Sequence, residues 1–219
     1  MIFCLSIMAY AQTPQDRATE LKKQAQSSLN QKDYIKARYL FKKAYEAFAS
    51  RENYPQAIEC GVQANALYVR ENFYKEGFEL CRDMEQLLWT GEQNKKKVFY
   101  DLRFLINKER LQMYTALKNP AQAKTQLDKL EEMANLAKND SLTEVLLYTK
   151  ANYYYTFNQS TQGDACFRKL INQYKEKKDY AKVSDCYKNL INIARKGNNA
   201  PLMLSLIHIS EPTRHLRIS

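Results

Sequence analysis

Histidine and cysteine are the side chains in this sequence with the greatest potential for chemistry. A neutral imidazole can serve as a general base or a zinc ligand near pH 7, and both histidines, His208 and His215, lie within the last 16 residues. Thiols can bind metals or pair in disulfides, and the chain has five cysteines: Cys4, Cys60, Cys81, Cys166 and Cys186. No phosphate-binding Gly-rich loop, His-Glu-x-x-His, Cys-x-x-Cys or Gly-x-Ser-x-Gly motif accompanies them. The sequence therefore predicts a non-enzymatic chain that binds no metal and no cofactor.

The composition favours long helices joined by short turns. The chain of 219 residues has five Gly and five Pro, with 45% hydrophobic and 26% charged residues. Its abundant Lys, Gln, Glu, Leu and Ala are good helix formers. The formal net charge is +10, which would permit an acidic partner such as nucleic acid. Because the cations are interspersed with acidic residues, however, a solvated helix surface is favoured, and we predict no nucleic-acid partner for this region.

A helical stripe recurs along the chain with a period of about forty residues. In the segment KDYIKARYLFKKAYEAFA, residues three or four apart form one face: Tyr34, Ala37, Phe41, Ala44 and Phe48. Similar stripes begin at Tyr74, Pro120 and Ser160, so that successive stripes start 40, 46 and 40 residues apart. Each is preceded by another apolar-striped helix, at about 18–29, 55–69, 98–116 and 142–156. A fifth such helix has Gly197 as a stop and the stripe Tyr187, Leu190, Ile191 and Ala194.

The spacing Tyr-x-x-Ala-x-x-x-Phe-x-x-Ala in YIKARYLFKKA resembles the second helix of a tetratricopeptide (TPR) repeat. This resemblance covers about residues 18–203. It implies an all-α, superhelical array of antiparallel helix pairs, with about four and a half repeats of about 40 residues. The period exceeds the usual length of about 34 residues, and Gly77, Cys81 and Met84 depart from the family pattern. We therefore use the term TPR-like; a non-repeating helical bundle is the alternative.

The repeat arrangement brings the later cysteines together in two pairs. Cys60 and Cys81 are predicted on antiparallel helices, at similar distances from a turn near Glu71, and Cys166 and Cys186 flank a turn near Lys177 in the same way. Two disulfides between helices are therefore possible in an oxidising compartment. Buried structural thiols are the alternative, favoured because Cys81 occupies a core position of its stripe.

The TPR resemblance implies that a concave groove contains the binding residues. It places Tyr148, Asn152 and Tyr155 on the groove stripe, where tyrosine could provide contact area for a peptide. The same resemblance points to polar pairs four residues apart: Lys22 and Gln26, Lys108 and Gln112, and Lys188 and Asn192. The alternative is packing between repeats for the tyrosines and a solvated face for the polar pairs. The second repeat has Val62 and Ala66 at these positions, so we predict no carboxylate clamp.

The two ends of the chain differ from the region between them. Residues 1–11 combine an apolar stretch with Ala9-Tyr10-Ala11, the pattern of a secretory signal peptide whose true start codon lies upstream. The predicted mature domain spans 12–203, with its fifth repeat incomplete. Residues 204–219 resemble the in-frame translation of a transposase-type sequencing-library adapter, which predicts a non-native tail. His208 and His215 then belong to no native site.

These observations predict an exported interaction module that binds a protein or peptide in its concave groove. TPR arrays of this kind resemble the sensory or scaffolding N-terminal part of a longer, membrane-anchored bacterial regulator. We expect periplasmic localisation, with membrane attachment only through a C-terminal segment absent from this sequence. The alternatives are a soluble periplasmic scaffold or assembly factor, and the non-catalytic part of an enzyme whose catalytic domain is missing.

Overall fold

The computed structural model describes the backbone of residues 14–196 and the side chains of residues 17–195. The predicted signal peptide, Gly197 and the predicted adapter-derived tail lie outside these described residues. Helices make up 86% of the described residues, which include no strand, and this confirms the all-α fold class. The helices are α1 Pro14–Asn30, α2 Tyr34–Ala49, α3 Tyr54–Arg70, α4 Tyr74–Lys95, α5 Tyr100–Ala116, α6 Pro120–Ala137, α7 Asp140–Thr156, α8 Ser160–Glu176 and α9 Tyr180–Lys196.

The regular spacing of the turns sets the length of the hairpins. Apart from the step between α4 and α5, successive helices begin 20 residues apart. In each of these turns, the residue two positions before the next helix has a positive φ between 49° and 63°: Lys32, Glu52, Asn72, Lys118, Lys138, Asn158 and Lys178. Asp or Asn follows several of them, and its side chain accepts a hydrogen bond from a backbone N–H of the new helix, as at Asp33, Asn53, Asn119 and Asn139. These four turns therefore both end one helix and cap the next.

The helices form two compact units that divide between Met113 and Tyr114. In the N-terminal unit, α2 packs against both α1 and α3, and α3 packs against α4. The predicted core stripe of α2 is buried at Ala37, Phe41, Ala44 and Phe48, and that of α4 at Gly77, Cys81 and Met84. The small residues allow close helix contact while Phe41 and Met84 fill the space between helices.

The C-terminal unit repeats this hairpin packing. Here α7 packs against both α6 and α8, and α8 packs against α9. The predicted stripes are buried at Ala123, Leu127 and Leu130 on α6, and at Gly163, Phe167 and Leu170 on α8. On α9, Tyr187 and Ala194 are buried, whereas Leu190 and Ile191 are half-buried.

A longer α4 accounts for the one irregular step of the repeat. This helix has 22 residues, and α5 begins 26 residues after the start of α4. The added turns pack closely, because a Cβ atom at Gly91 would lie 2.5 Å from Cζ of Tyr54. Glu92, near the end of α4, is buried and forms an ion pair with Arg103 of α5. The extension therefore belongs to the packed N-terminal unit.

Candidate protein-binding surfaces

Side-chain bonds connect the first helices of successive hairpins in the N-terminal unit. From α1, Lys22 Nζ donates to Gln56 Oε1 of α3 at 2.9 Å and forms an ion pair with Glu59 at 2.7 Å. From α3, Asn65 Nδ2 donates to Glu109 Oε2 of α5 at 3.1 Å. These bonds place α1, α3 and α5 in series along one face of the unit.

The bond between Asn65 and Glu109 is buried. Asn65 is fully buried, and the Glu109 side chain is only 2% exposed. Lys108 Nζ lies 3.1 Å from Glu109 Oε1 and compensates the charge of this carboxylate. Asn65 Oδ1 is buried and has no hydrogen-bond partner among the described residues. The buried Glu109 carboxylate needs its bonds from Asn65 and Lys108, because a buried charge that loses its partners costs several kcal/mol of stability.

The predicted groove residues of the N-terminal unit have two different environments. Lys22 and Lys108 are partly buried and engaged with Gln56, Glu59 and Glu109. Gln26 on α1 is exposed, and its amide donates to Asn30 Oδ1 at 3.1 Å. Gln112 on α5 is also exposed. The two lysines thus hold the helices together, while the two glutamines remain accessible to a ligand.

The predicted tyrosine cluster of the C-terminal unit is only partly accessible. The Tyr148 ring lies edge-on to Phe167, with centroids 5.8 Å apart, and Asn152 between the two tyrosines is exposed. Tyr155 is half-buried against Phe167, and its hydroxyl donates to the Asp164 carboxylate. Burial and this hydrogen bond raise the pKa of Tyr155. Tyr155 therefore serves the packing of the α7–α8 hairpin.

The remaining predicted pair, Lys188 and Asn192, lies exposed on α9. Lys188 Nζ forms an ion pair with Asp185 at 2.8 Å, one turn away on the same helix. Such an exposed ion pair contributes little to stability. Because both side chains are exposed, they are accessible to a ligand.

The four cysteines of the described region are free, buried thiols. Burial raises the pKa of Cys60 and Cys81 to about 12 and that of Cys186 to about 11, and it also raises the pKa of Cys166. Because the thiolate is the reactive form, these residues act as small core side chains at neutral pH. None of these four cysteines forms a disulfide in this structure.

The Glu144 carboxylate of α7 is bonded to three side chains of the C-terminal unit. Its carboxylate accepts hydrogen bonds from Lys177 at 2.7 Å, Lys182 at 3.0 Å and the Tyr174 hydroxyl at 3.2 Å. The hydrogen bonds from Lys177 and Lys182 lower the pKa of Glu144 to about 2. This carboxylate joins α7 to α8 and α9 and therefore has a structural role.

A surface on α2 and α3 did not emerge from the sequence. It borders an open cavity of about 410 Å³ lined by seven side chains, which we call the α2 patch: Ile35, Arg38, Tyr39, Lys42, Lys43, Glu46 and Tyr68. Ile35 and Tyr39 are exposed, although α2 already buries a complete apolar stripe on its other side. The sequence signal that could have revealed this surface is the second apolar stripe of α2, formed by Ile35 and Tyr39, which the packing of the hairpin does not require.

Other functional features can be assessed only within the described region. There, no group of three or more His, Cys, Asp or Glu side chains is arranged to hold a metal ion. None of the described helices is both long and apolar enough to cross a membrane.

Comparison with known proteins adds no relative to this picture. No family model matches the sequence, and no curated protein matches it significantly. The described helices form a repeat-like array packed in adjacent pairs, an arrangement compatible with a TPR-like fold.

Proposed function

We propose that this chain is an exported, non-enzymatic TPR-like module that binds a protein or peptide on the first helices of its hairpins. These are α1, α3 and α5 in the N-terminal unit, and α7 and α9 in the C-terminal unit. The observation that supports this function is the series of side-chain bonds from α1 to α3 and from α3 to α5. Helices linked in this way present a continuous surface, and repeat arrays use such extended surfaces for binding.

The accessible residues on the first helices of each unit suit recognition of a peptide backbone. Gln26 and Gln112 in the N-terminal unit and Asn152 in the C-terminal unit are exposed amides. Each amide can both donate and accept a hydrogen bond. Tyr148 adds a partly exposed ring, a residue type enriched at the energetic centres of interfaces. We propose that Gln26 and Gln112 contact a ligand of the N-terminal unit, and that Tyr148, Asn152, Lys188 and Asn192 contact a ligand of the C-terminal unit.

The proposed location is the periplasm, on the basis of the signal-peptide pattern of residues 1–11. We also propose that the module is the sensory or scaffolding part of a longer membrane-anchored regulator. Export is tested by mass spectrometry of the chain recovered from the periplasm of a bacterial host. If the chain is exported and cleaved, its new N-terminus should be Gln12. The proposal of a longer regulator is tested by sequencing the source gene through the Met203 codon. It predicts that a membrane-spanning segment is encoded downstream.

Selection of peptides from a random phage-displayed library on the immobilised full chain tests the binding function. Synthetic copies of the selected peptides should bind with micromolar dissociation constants in fluorescence anisotropy. Gln26→Ala and Gln112→Ala should each weaken the binding of peptides held by the N-terminal unit by about three- to tenfold, because each removes one or two hydrogen bonds. Asn152→Ala should weaken the binding of peptides held by the C-terminal unit to the same extent. All three side chains are exposed, so the variants should retain the stability of the parent chain.

An exposed glutamine on the second helix of a hairpin provides the matched control. Gln122→Ala on α6 changes the same functional group outside the proposed face and should leave the affinity unchanged. Failure to select any peptide would contradict the proposal, as would peptides whose affinity is insensitive to all three first-helix variants.

A further inference from the structure

We infer that the α2 patch is a second binding surface, which takes an acidic peptide segment with a protruding apolar side chain. This surface lies between α2 and α3 and includes none of the side chains assigned above to the first-helix face. The inference therefore goes beyond the proposed function and can be tested independently of it.

The apolar part of the α2 patch is unusually exposed. Ile35 is 69% exposed and Tyr39 is 61% exposed, the two highest values among the exposed large hydrophobic side chains of the described region. Being four residues apart, they lie next to each other on one side of α2. Exposed apolar side chains that cluster around a cavity are typical of interaction sites, whereas isolated ones are common on any surface.

The wall beside these residues is held in place before any ligand binds. The Arg38 guanidinium lies 4.8 Å from the Tyr68 ring centroid and 5.0 Å from that of Phe73. Arg38 also forms an ion pair with Glu71, at the end of α3. A side chain fixed by two rings and a carboxylate loses little freedom on binding, which favours affinity.

The charge around the cavity identifies the kind of partner. The α2 patch has one carboxylate, Glu46, and three cations: Arg38, Lys42 and Lys43. Arg38 and Lys43 have acidic partners, whereas Lys42 forms no ion pair with any described residue. The patch therefore has an excess of positive charge that carboxylates of a ligand would neutralise. A second copy of the chain is disfavoured as the occupant because it would bring like charges together.

The shape of the surface favours a peptide over an extended polyanion. The cavity of about 410 Å³ falls within the range of about 300–1,000 Å³ that is usual for ligand pockets. A side chain that protrudes from a peptide can enter it, while neighbouring Asp or Glu residues reach Lys42. A flat anionic bilayer or a nucleic-acid backbone would use the charge but leave the cavity unfilled.

The test uses a fluorescein-labelled ten-residue peptide of Asp and Glu with Leu-Phe at its centre, titrated with the full chain in an anisotropy assay. We expect a micromolar dissociation constant that weakens as salt rises from about 50 to 300 mM, since exposed charges are screened. Tyr39→Ser and Lys42→Glu should each weaken binding by about tenfold, the first by removing the apolar contact and the second by reversing an unpaired charge.

Two exposed residues of the C-terminal unit supply matched controls. Val145→Ser removes another exposed apolar side chain, and Lys129→Glu makes the same charge reversal on α6. Both variants should bind the probe like the parent chain. Gln26→Ala and Gln112→Ala should also retain full affinity for this probe, which separates its outcome from that of the first-helix face.

Several results would overturn the inference. The probe could fail to bind, or Tyr39→Ser and Lys42→Glu could leave its affinity unchanged. Equal binding of a probe with Gly-Gly in place of Leu-Phe would show that the cavity plays no part. Equally tight binding of oligothymidylate, or of phosphatidylserine vesicles, would show that the patch attracts any polyanion.

Discussion

Replacing Asn65 with aspartate would place two carboxylates against each other in the interior of the N-terminal unit. In the present structure, Asn65 Nδ2 lies 3.1 Å from Glu109 Oε2, and Asn65 is fully buried. Two negative charges about 3 Å apart repel by about 5 kcal/mol at an effective dielectric constant of about 20. The variant also loses the hydrogen bond that Asn65 donates.

Protonation limits the cost of this substitution. Binding one proton at pH 7 to a carboxyl with an ordinary pKa near 4 costs about 4 kcal/mol, and the resulting acid can donate to its neighbour. We therefore expect Asn65→Asp to lower the free energy of unfolding by about 3–4 kcal/mol at pH 7. Because repulsion raises the pKa of the carboxyl pair in the folded variant, this loss should shrink as pH falls towards 4.

Urea unfolding followed by circular dichroism, at pH 7 and at pH 4, measures the effect. The double variant Asn65→Asp/Glu109→Gln should recover at least 2 kcal/mol, about the value of a hydrogen bond to a charged group, because the new amide can donate to the aspartate. Asn152→Asp makes the same change at an exposed position of α7 and should shift stability by no more than about 0.5 kcal/mol.

The reasoning would be refuted if Asn65→Asp cost less than about 1 kcal/mol at pH 7. It would also fail if the loss were the same at pH 4, or if the double variant were no more stable than the single one. Any of these results would mean that α3 and α5 are not joined through this buried bond.

Three further substitutions test the packing and the turns by the same unfolding measurement. Glu144→Gln should cost about 1 kcal/mol at pH 7, since its lysine partners are half exposed and screened. The folded-state pKa of Glu144 is lowered from 4.5 to about 2, so this stabilisation is present above pH 4.5 and should disappear as pH falls to about 2. Lys178→Gly should stabilise by about 0.5–1 kcal/mol, because Lys178 has a φ of 56°, which glycine adopts at lower cost. Gly91→Ala should destabilise by about 1–3 kcal/mol, because the added Cβ would lie 2.5 Å from the rigid Tyr54 ring.

Each of these substitutions has a matched control. Glu132→Gln, on an exposed part of α6, should leave stability unchanged at every pH; an equal effect from both variants would contradict the role given to Glu144. Asn158→Gly should gain less than Lys178→Gly, since asparagine tolerates a φ of 59°, and equal gains would argue against backbone strain at the lysine. Gly61→Ala would place its Cβ 2.5 Å from the flexible Met84 thioether and 3.3 Å from the Tyr45 ring. It should cost less than Gly91→Ala, so an equal loss would contradict the packing argument.

The sequence alone identified most of the helices, because the determinants of each helix are local. The stripe of Ala37 and Phe41 shows which face of α2 is buried, and Asn119 followed by Pro120 marks the start of α6. The irregular step of 46 residues between Tyr74 and Pro120 was also visible, but its structural cause, the longer α4, was not. Spacing counts residues without showing whether an insertion lies in a helix or in a turn.

The candidate sites depended on contacts between residues far apart in the sequence. Lys22 was predicted as a ligand contact, but its partner Gln56 lies 34 residues away, and no periodicity indicates that pairing. Tyr155 shares a helical stripe with Tyr148, yet it points into the hairpin because Gly163 provides space for its ring. The exposure of Tyr39 could not be predicted from the sequence, because a large apolar residue on an amphipathic helix is expected to be buried.

Chemical-shift mapping of a selected peptide on the isotopically labelled full chain tests the central claim most directly. The account predicts that the largest perturbations fall on exposed positions of the first helices: Gln26 and Gln112 for a peptide bound by the N-terminal unit, or Asn152 for a peptide bound by the C-terminal unit. Perturbations confined to the second helices α2, α4, α6 and α8 would contradict the proposed binding face.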